Sequence, residues 1–79
     1  MSDTELRKLI GTRIATARKV AGIDQDTLAA AIGVNKQSLS RWERGLRSPN
    51  AEHLREIART CGCTADFLLG FSDIIEIQS

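Results

Sequence analysis

The stretch from Gln25 to Arg44 constrains the fold of this chain more than any other. It contains two short helical patterns separated by Gly33, a residue type that commonly ends a helix in the left-handed conformation. Asp24 and Asn35 each stand immediately before one of these patterns, where their side chains can accept hydrogen bonds from the free amides of a first helical turn. The stretch therefore predicts a helix, a tight turn and a second helix that ends before Gly45.

The second of these helices has two contrasting faces. At about 100° per residue, Leu39 and Trp42 lie on one narrow apolar side. The opposite face carries cations, an amide and a hydroxyl, all of which can donate hydrogen bonds, and it has no acid. It consists of Lys36, Gln37, Ser40, Arg41 and Arg44. Such a face suits the edges of bases and the phosphates beside them.

The small and apolar positions of this stretch resemble the helix-turn-helix template, and they are Leu28, Ala29, Ile32, Gly33, Val34, Leu39 and Trp42. The flanking residues match as well, namely Ile10, Gly11, Arg13, Ile14, Arg18, Gln25, the run Trp42 to Gly45, Pro49, and the run Asp66 to Gly70. Together they resemble the Cro/C1-type, or XRE, DNA-binding domain over Leu6 to Gly70. The resemblance implies an all-α fold, a compact five-helix lambda-repressor-like domain with a helix-turn-helix.

The resemblance also implies roles for individual side chains. The positions that touch base edges in related repressors correspond to Lys36, Gln37 and Arg41, with Ser40 among them. We assign contacts with phosphate, which fix register without reading sequence, to Gln25, Asn35, Ser38, Arg44 and Arg47. Arg18 and Glu43 match positions that form a structural ion pair between the first helix and the base-reading helix.

Local patterns predict three further helices. Ser2 and Glu5 have capping-box spacing at the start of a first helix that runs to about Ala21, with Leu6, Leu9, Ile10, Ile14, Ala17 and Ala21 on its inner side. Asn50 caps a fourth helix from Ala51 to about Cys61, and Thr64 caps a short fifth helix through Leu69. Arg13 falls within the apolar arc of the first helix, so we expect its stem to pack and its charged end to reach water or phosphate.

The charge of the chain is unevenly distributed along it. Formal net charge is only +1, but residues 1–50 hold nine Lys or Arg against five acids, whereas residues 51–79 hold two against five. The positive half contains the proposed base-reading helix, which is the distribution expected of a duplex-binding protein. The small total predicts few phosphate contacts per copy and weak binding by one copy alone, so we expect a homodimer, as in the family.

Residues 1–70 account for the helix-turn-helix domain, and residues 71–79 form an apolar C-terminal tail. The tail carries four large apolar side chains, Phe71, Ile74, Ile75 and Ile77. They either pack back on their own domain or form a surface for a second copy or another protein partner, since unburied apolar patches are usually interaction sites. The sequence leaves both alternatives open.

Several classes of function are excluded by the residue inventory. With one histidine, no tyrosine and no phosphate-binding glycine loop, the chain has no groups from which a catalytic centre would assemble, so we expect no enzyme and no cofactor. Cys61 and Cys63 lack the four-ligand spacing of a metal site and are interpreted as reduced packing residues, and His53 as a surface or rim histidine. The sequence has neither a membrane-spanning apolar run nor a secretion signal, which predicts a cytoplasmic protein.

The sequence thus predicts a sequence-specific, double-stranded DNA-binding transcriptional regulator, most simply a repressor that binds an inverted-repeat operator as a homodimer. The alternative is an antitoxin-like or adaptor module on the same fold, whose main ligand is another protein bound through the tail.

Overall fold

Five α-helices account for the secondary structure of the described residues. In the computed structural model, which describes residues 1–75, they are α1 (Asp3–Val20), α2 (Gln25–Ile32), α3 (Lys36–Glu43), α4 (Ala51–Cys61) and α5 (Ala65–Leu69). The predicted all-α, five-helix fold is confirmed. No helix within residues 1–75 combines the length and apolar character needed to cross a membrane.

Each helix begins at a side chain that caps its free amides, as the sequence predicts. In α1 the arrangement is reciprocal, because the Glu5 amide donates to Ser2 Oγ at 3.1 Å and the Ser2 amide donates to Glu5 Oε1 at 3.3 Å. The caps of the other four helices accept from the backbone N–H three residues on, and they are Asp24, Asn35, Asn50 and Thr64. These local bonds fix where the helices start without any tertiary contact.

The core draws one fully buried aliphatic side chain from each helix. Ile14, Leu28, Leu39, Ile57 and Leu68 all have no exposed surface. Among the described residues, the side chains that make up this core are all apolar. At about 1.5–3 kcal/mol for each such side chain removed from water, the core joins all five helices into one unit.

Helix α1 is the central element of the packing, since it contacts α3, α4 and α5. Gly11 lies at its crossing with α3. A Cβ atom at this position would overlap the carbonyl oxygen of Trp42 and would lie 2.7 Å from that of Glu43. The two helix backbones are therefore in direct contact here, and only glycine permits this approach.

The predicted inner face of α1 is wrong at both ends. Leu6 is 38% exposed and Ala21 is exposed, whereas Ile10, Ile14 and Ala17 are buried. Leu9 is half-buried and full burial begins at Ile10, so the first turn of α1, which contains Leu6, lies at the edge of the core. Ala21 is already the C-cap, since the helix ends at Val20.

The predicted position of the Arg13 charged end is also wrong. Its guanidinium lies 4.3 Å from the centre of the Phe67 ring, and it donates through Nη1 to the carbonyl oxygen of Ser72 at 2.9 Å. A further Nη1 bond reaches the Phe67 carbonyl at 3.5 Å, and Nη2 pairs with Asp73 Oδ1 at 2.6 Å. The charged end is thus committed to α5 and to the segment after it, and does not lie free for phosphate.

The tail residues divide between the two alternatives that the sequence leaves open. Ile75 is partly buried against the core, whereas Phe71 is 82% exposed and Ile74 is 66% exposed. Ile77 lies outside the described residues. The segment 71–75 therefore packs back on the domain at one side chain and leaves two large apolar side chains in solvent.

Candidate nucleic-acid interface

The turn between α2 and α3 sets the direction of the candidate interface. Gly33 has a φ of +76°, a left-handed conformation that residues with a Cβ rarely adopt, and nothing lies within 4 Å of where a Cβ would be. Glycine is needed here for the backbone conformation alone. The Val34 amide then donates to the Ala29 carbonyl at 3.0 Å, and the Val34 side chain packs against the core. The chain thus turns into α3 within three residues.

The outward side of α3 carries the residues that the sequence assigns to base reading. Lys36, Gln37 and Arg41 are exposed and Ser40 is half-buried, while Leu39 and Trp42 on the opposite side are buried. These four polar side chains line a single shallow depression together with Gln25 and Arg44. The structure therefore brings six of the nine residues assigned to bases or phosphates into one surface, which we call the α3 face.

Few of these groups are engaged by the protein itself. Lys36 Nζ lies 3.7 Å from Asp26 Oδ2, but both side chains are mostly exposed, so this pair is weak. Arg44, the C-cap residue of α3, donates from Nε to the Ser40 carbonyl at 3.3 Å. Within residues 1–75, Gln37 and Arg41 make no side-chain hydrogen bond, so their donors are available to an external partner.

The remaining assigned residues lie at the edges of the α3 face. Asn35 uses its carbonyl oxygen to cap α3, which leaves its amide nitrogen free to donate outward. Ser38 is half-buried in the first turn. Arg47 is exposed in the loop after α3 and does not line the same depression; it lines another with Arg7, Leu46 and Ser48. No sequence pattern singles out Arg7, since its neighbours are set by packing between distant segments.

Glu43, the only acid of α3, faces away from this surface. Its Oε2 accepts from Arg18 Nε at 2.7 Å, and its Oε1 accepts from Arg18 Nη2 at 3.0 Å and from Gln25 Nε2 at 3.0 Å. The side chains of Arg18 and Glu43 are only 12% and 7% exposed. The ion pair implied by the resemblance is therefore present, bidentate and largely buried.

This cluster also keeps Arg18 charged and fixes the hydrogen bonds of Arg18 and Gln25. The hydrogen bonds to Glu43 raise the pKa of the Arg18 guanidinium above its ordinary value, so Arg18 stays charged. Its Nη1 donates to the Ile23 carbonyl at 3.1 Å, which ties the loop between α1 and α2 to the pair. One amide hydrogen of Gln25 is used by Glu43, and the other remains available beside the α3 face.

The cysteines and the histidine lie apart from the α3 face. Cys61 and Cys63 are both free and buried, and burial raises the pKa of the Cys61 thiol to about 11 and also raises that of Cys63. Both thiols are thus protonated and serve in packing. His53 is half-buried with its ring 5.2 Å from that of Trp42, which is a rim position. No group of three potential metal ligands forms within the described part of the chain.

Comparison with known proteins identifies the family. A helix-turn-helix family model matches residues 14–68, which include α2, α3 and α4, the C-terminal part of α1 and most of α5. The chain belongs to this Cro/C1-type helix-turn-helix family. The matched segment contains the whole α3 face and the Arg18 and Glu43 pair.

Its relatives include regulators from phage and bacteria. The repressor protein C2 of Salmonella phage P22 is 37% identical over 62 residues, which is 78% of this chain and 29% of that protein. The HTH-type regulator y4dJ of Sinorhizobium fredii is 38% identical over 58 residues, covering 73% of this chain and 75% of that protein. The chain thus spans most of one relative and under a third of the other. These relatives are transcriptional regulators rather than enzymes.

Solved structures agree with the fold. The solution structure of the DNA-binding domain of the P22 C2 repressor superposes with a TM-score of 0.72 at 37% identity, covering 76% of this chain and 79% of that domain. An HTH_3 family transcriptional regulator from Vibrio cholerae superposes with a TM-score of 0.77 at 27% identity, covering 90% of this chain and 40% of that one. Both place this helix-turn-helix domain among regulator domains.

Proposed function

We propose that this domain binds double-stranded DNA sequence-specifically as a homodimer and regulates transcription in the cytoplasm, as a repressor that occupies an inverted-repeat operator. The observation that carries the proposal is the α3 face, whose donors point outward while the single acid of the helix, Glu43, is turned inward and neutralised. A surface of donors without a facing carboxylate matches the acceptors of phosphates and base edges.

The roles within the α3 face follow from position. Lys36, Gln37, Ser40 and Arg41 lie along the outward side of α3 and read base edges in the major groove. Arginine and lysine favour guanine and glutamine favours adenine, and each good bidentate pair gives about 1–3 kcal/mol of discrimination. The residues that flank these four hold phosphates and fix the register, and they are Gln25, Asn35, Ser38, Arg44 and Arg47.

A homodimer follows from the weakness of one copy. Net charge is +1, so a single domain releases few counterions and binds duplex weakly. Two copies place their α3 helices in successive major grooves about 34 Å apart. The exposed side chains of Phe71 and Ile74 are the best candidates for the contact between copies, and Ile75, which packs on its own core, is a weaker one. An antitoxin-like or adaptor role would use the same two side chains on a different protein.

The experiment is selection of genomic DNA fragments by the purified protein, followed by titration of the best fragment and of a scrambled one. We expect an inverted repeat with a specificity ratio of ~10³ or more. Replacement of Lys36 and Arg41 by alanine should abolish this ratio while the domain still folds. The matched control, Arg55→Ala with Arg59→Ala, removes the same charge from α4 and should retain it.

Two results would contradict the proposal. Equal binding of both fragments by the unmodified protein leaves only electrostatic attraction and favours the protein-partner alternative. A specificity ratio that survives the double substitution of Lys36 and Arg41 shows that the base-reading residues lie elsewhere.

A further inference from the structure

A second basic surface lies beyond the C-terminal end of α3. The loop after α3 passes directly over α1, because Gly45 has a φ of +75° and a Cβ there would lie 2.9 Å from the Cα of Lys8. This approach brings Arg7, from the second turn of α1, beside Arg47 in the loop, while its neighbour Lys8 lies against Gly45. Arg7 and Arg47 line one depression with Leu46 and Ser48. We call Arg7, Lys8 and Arg47 the basic rim.

The cations of the basic rim have no acidic partners among residues 1–75. Arg13, Arg18, Lys36, Arg55 and Arg59 each lie within 4.0 Å of a carboxylate, but no residue of the basic rim does. The one side-chain hydrogen bond of Arg7 within this range is to the neutral hydroxyl of Thr4 at 3.3 Å.

The two acids closest along the chain do not neutralise the rim either. Glu5 accepts instead from the amide of Ser2, and Asp3 forms no ion pair with any residue that the structure describes. Segments distant in sequence thus converge to place like charges together without compensation, and such a surface attracts an anion.

We propose that Arg7 contacts, together with Arg47, the phosphate backbone that borders the major groove at the C-terminal end of α3. This inference rests on the proposed function, and it adds a residue of α1 to the interface. A helix inserted in a groove has a phosphate strand at each side. Arg44 and then the loop continue from α3 toward that strand, and α1 crosses directly behind the loop. Two guanidinium groups in one depression suit phosphate oxygens, which they bind bidentately.

The proposal is tested by the salt dependence of binding to the selected operator. Association constants of the full chain are measured by fluorescence anisotropy at several salt concentrations for the unmodified protein, Arg7→Gln, Arg47→Gln and Arg7→Lys. We expect each glutamine variant to bind operator and scrambled duplex more weakly by the same factor. The steepness of log K against log salt should fall by about 0.9 for each phosphate that the variant no longer neutralises. Arg7→Lys should keep the unmodified slope, because the charge is retained.

Arg55→Gln serves as the matched control, because it removes one positive charge from an exposed site on α4. Its slope should equal that of the unmodified protein. If Arg7→Gln gives this same slope while the specificity ratio stays high, the inference is wrong and the proposed function stands. If the unmodified protein shows no preference for the operator, the proposed function fails and the inference fails with it. Thermal melts by circular dichroism confirm that each variant is folded.

Discussion

At the scale of single residues, Glu43 shows how this domain places an acid on the helix that carries the proposed DNA-binding surface. Three donors from two other elements surround its carboxylate: Nε and Nη2 of Arg18, from α1, and Nε2 of Gln25, from α2. The charge is thereby neutralised, and the three helices are joined at one point. The residue that would repel phosphate instead fixes the helix that approaches it.

Removing one member of this pair is expected to be costly. Arg18→Ala leaves the Glu43 carboxylate, only 7% exposed, without its cation, and should lower the free energy of unfolding by about 3–5 kcal/mol. The measurement is urea denaturation followed by circular dichroism. Arg55→Ala breaks an exposed pair with Glu56 and should cost less than about 1 kcal/mol. Equal losses of unfolding free energy in the two variants would show that the Arg18–Glu43 pair stabilises the fold no more than an exposed ion pair does.

At the scale of secondary-structure elements, the cap of α2 makes part of the stability depend on pH. The pKa of Asp24 is lowered, first by the hydrogen bond from the Thr27 backbone amide, then by the Thr27 side chain, and to a smaller extent by the charge of Lys36. A carboxyl whose folded-state pKa is depressed contributes stability that is complete above its unfolded-state pKa of about 3.9 and is lost as the pH falls through the folded value.

Asp24→Asn isolates this contribution, because asparagine keeps the cap and cannot ionise. We expect the free energy of unfolding of the unmodified protein to exceed that of the variant at pH 7, and the difference to shrink below about pH 4, where the unfolded-state carboxyl begins to take up its proton. Paired urea titrations from acid to neutral pH measure the difference at each step. A constant difference over this range would show that the Asp24 charge does not stabilise α2.

The segment after α5 is tied to α1 through the side chain of Arg13. Arg13→Ala removes the bond to the Ser72 carbonyl and the contact with the Phe67 ring, so residues 71–75 should become mobile. The Asp73 side chain is 93% exposed, so Asp73→Ala removes only a weak ion pair and should leave the segment ordered. Heteronuclear NOE values of the amides of residues 71–75 report this directly. If both substitutions loosen the segment equally, the ion pair rather than the carbonyl bond holds it.

The sequence predicts the bounds of the helices well because the signals for them are local. Each cap lies within three residues of the amide it satisfies, and each closing glycine lies close to the end of its helix. Local signals do not predict the partners of Arg13, the exposure of Leu6 or the place of Arg7 beside Arg47. These features depend on how α1 crosses α5 and the loop after α3. The family resemblance includes Gly11, but no local pattern predicts its contact with the α3 backbone.

At the scale of the whole molecule, the fold exposes two different kinds of surface. The α3 face and the basic rim are cationic, whereas the exposed side chains of Phe71 and Ile74 form an apolar surface on the segment after α5. This division suits a domain that binds duplex with one surface and a second copy with the other.

Replacement of Phe71 and Ile74 by serine should weaken association between copies. Sedimentation velocity with operator present should show a shift from two bound copies toward one, and affinity for the full inverted repeat should fall toward that for a half-site. Val20→Ser changes an apolar side chain that is 56% exposed on α1 and serves as the control. Full-site affinity that is unaffected by the double substitution would place the dimer contact elsewhere.

The backbone contact at Gly11 has a consequence for the DNA itself. With the carbonyl oxygens of Trp42 and Glu43 seated against α1, no side-chain rotamer is available to absorb a change in the tilt of α3. In the proposed dimeric complex, α3 would adjust its tilt little, so we expect the duplex to twist or bend to bring the two half-sites into register. The stiffness of the base-pair steps between half-sites then becomes part of the binding free energy, and base pairs that no side chain touches contribute to operator choice.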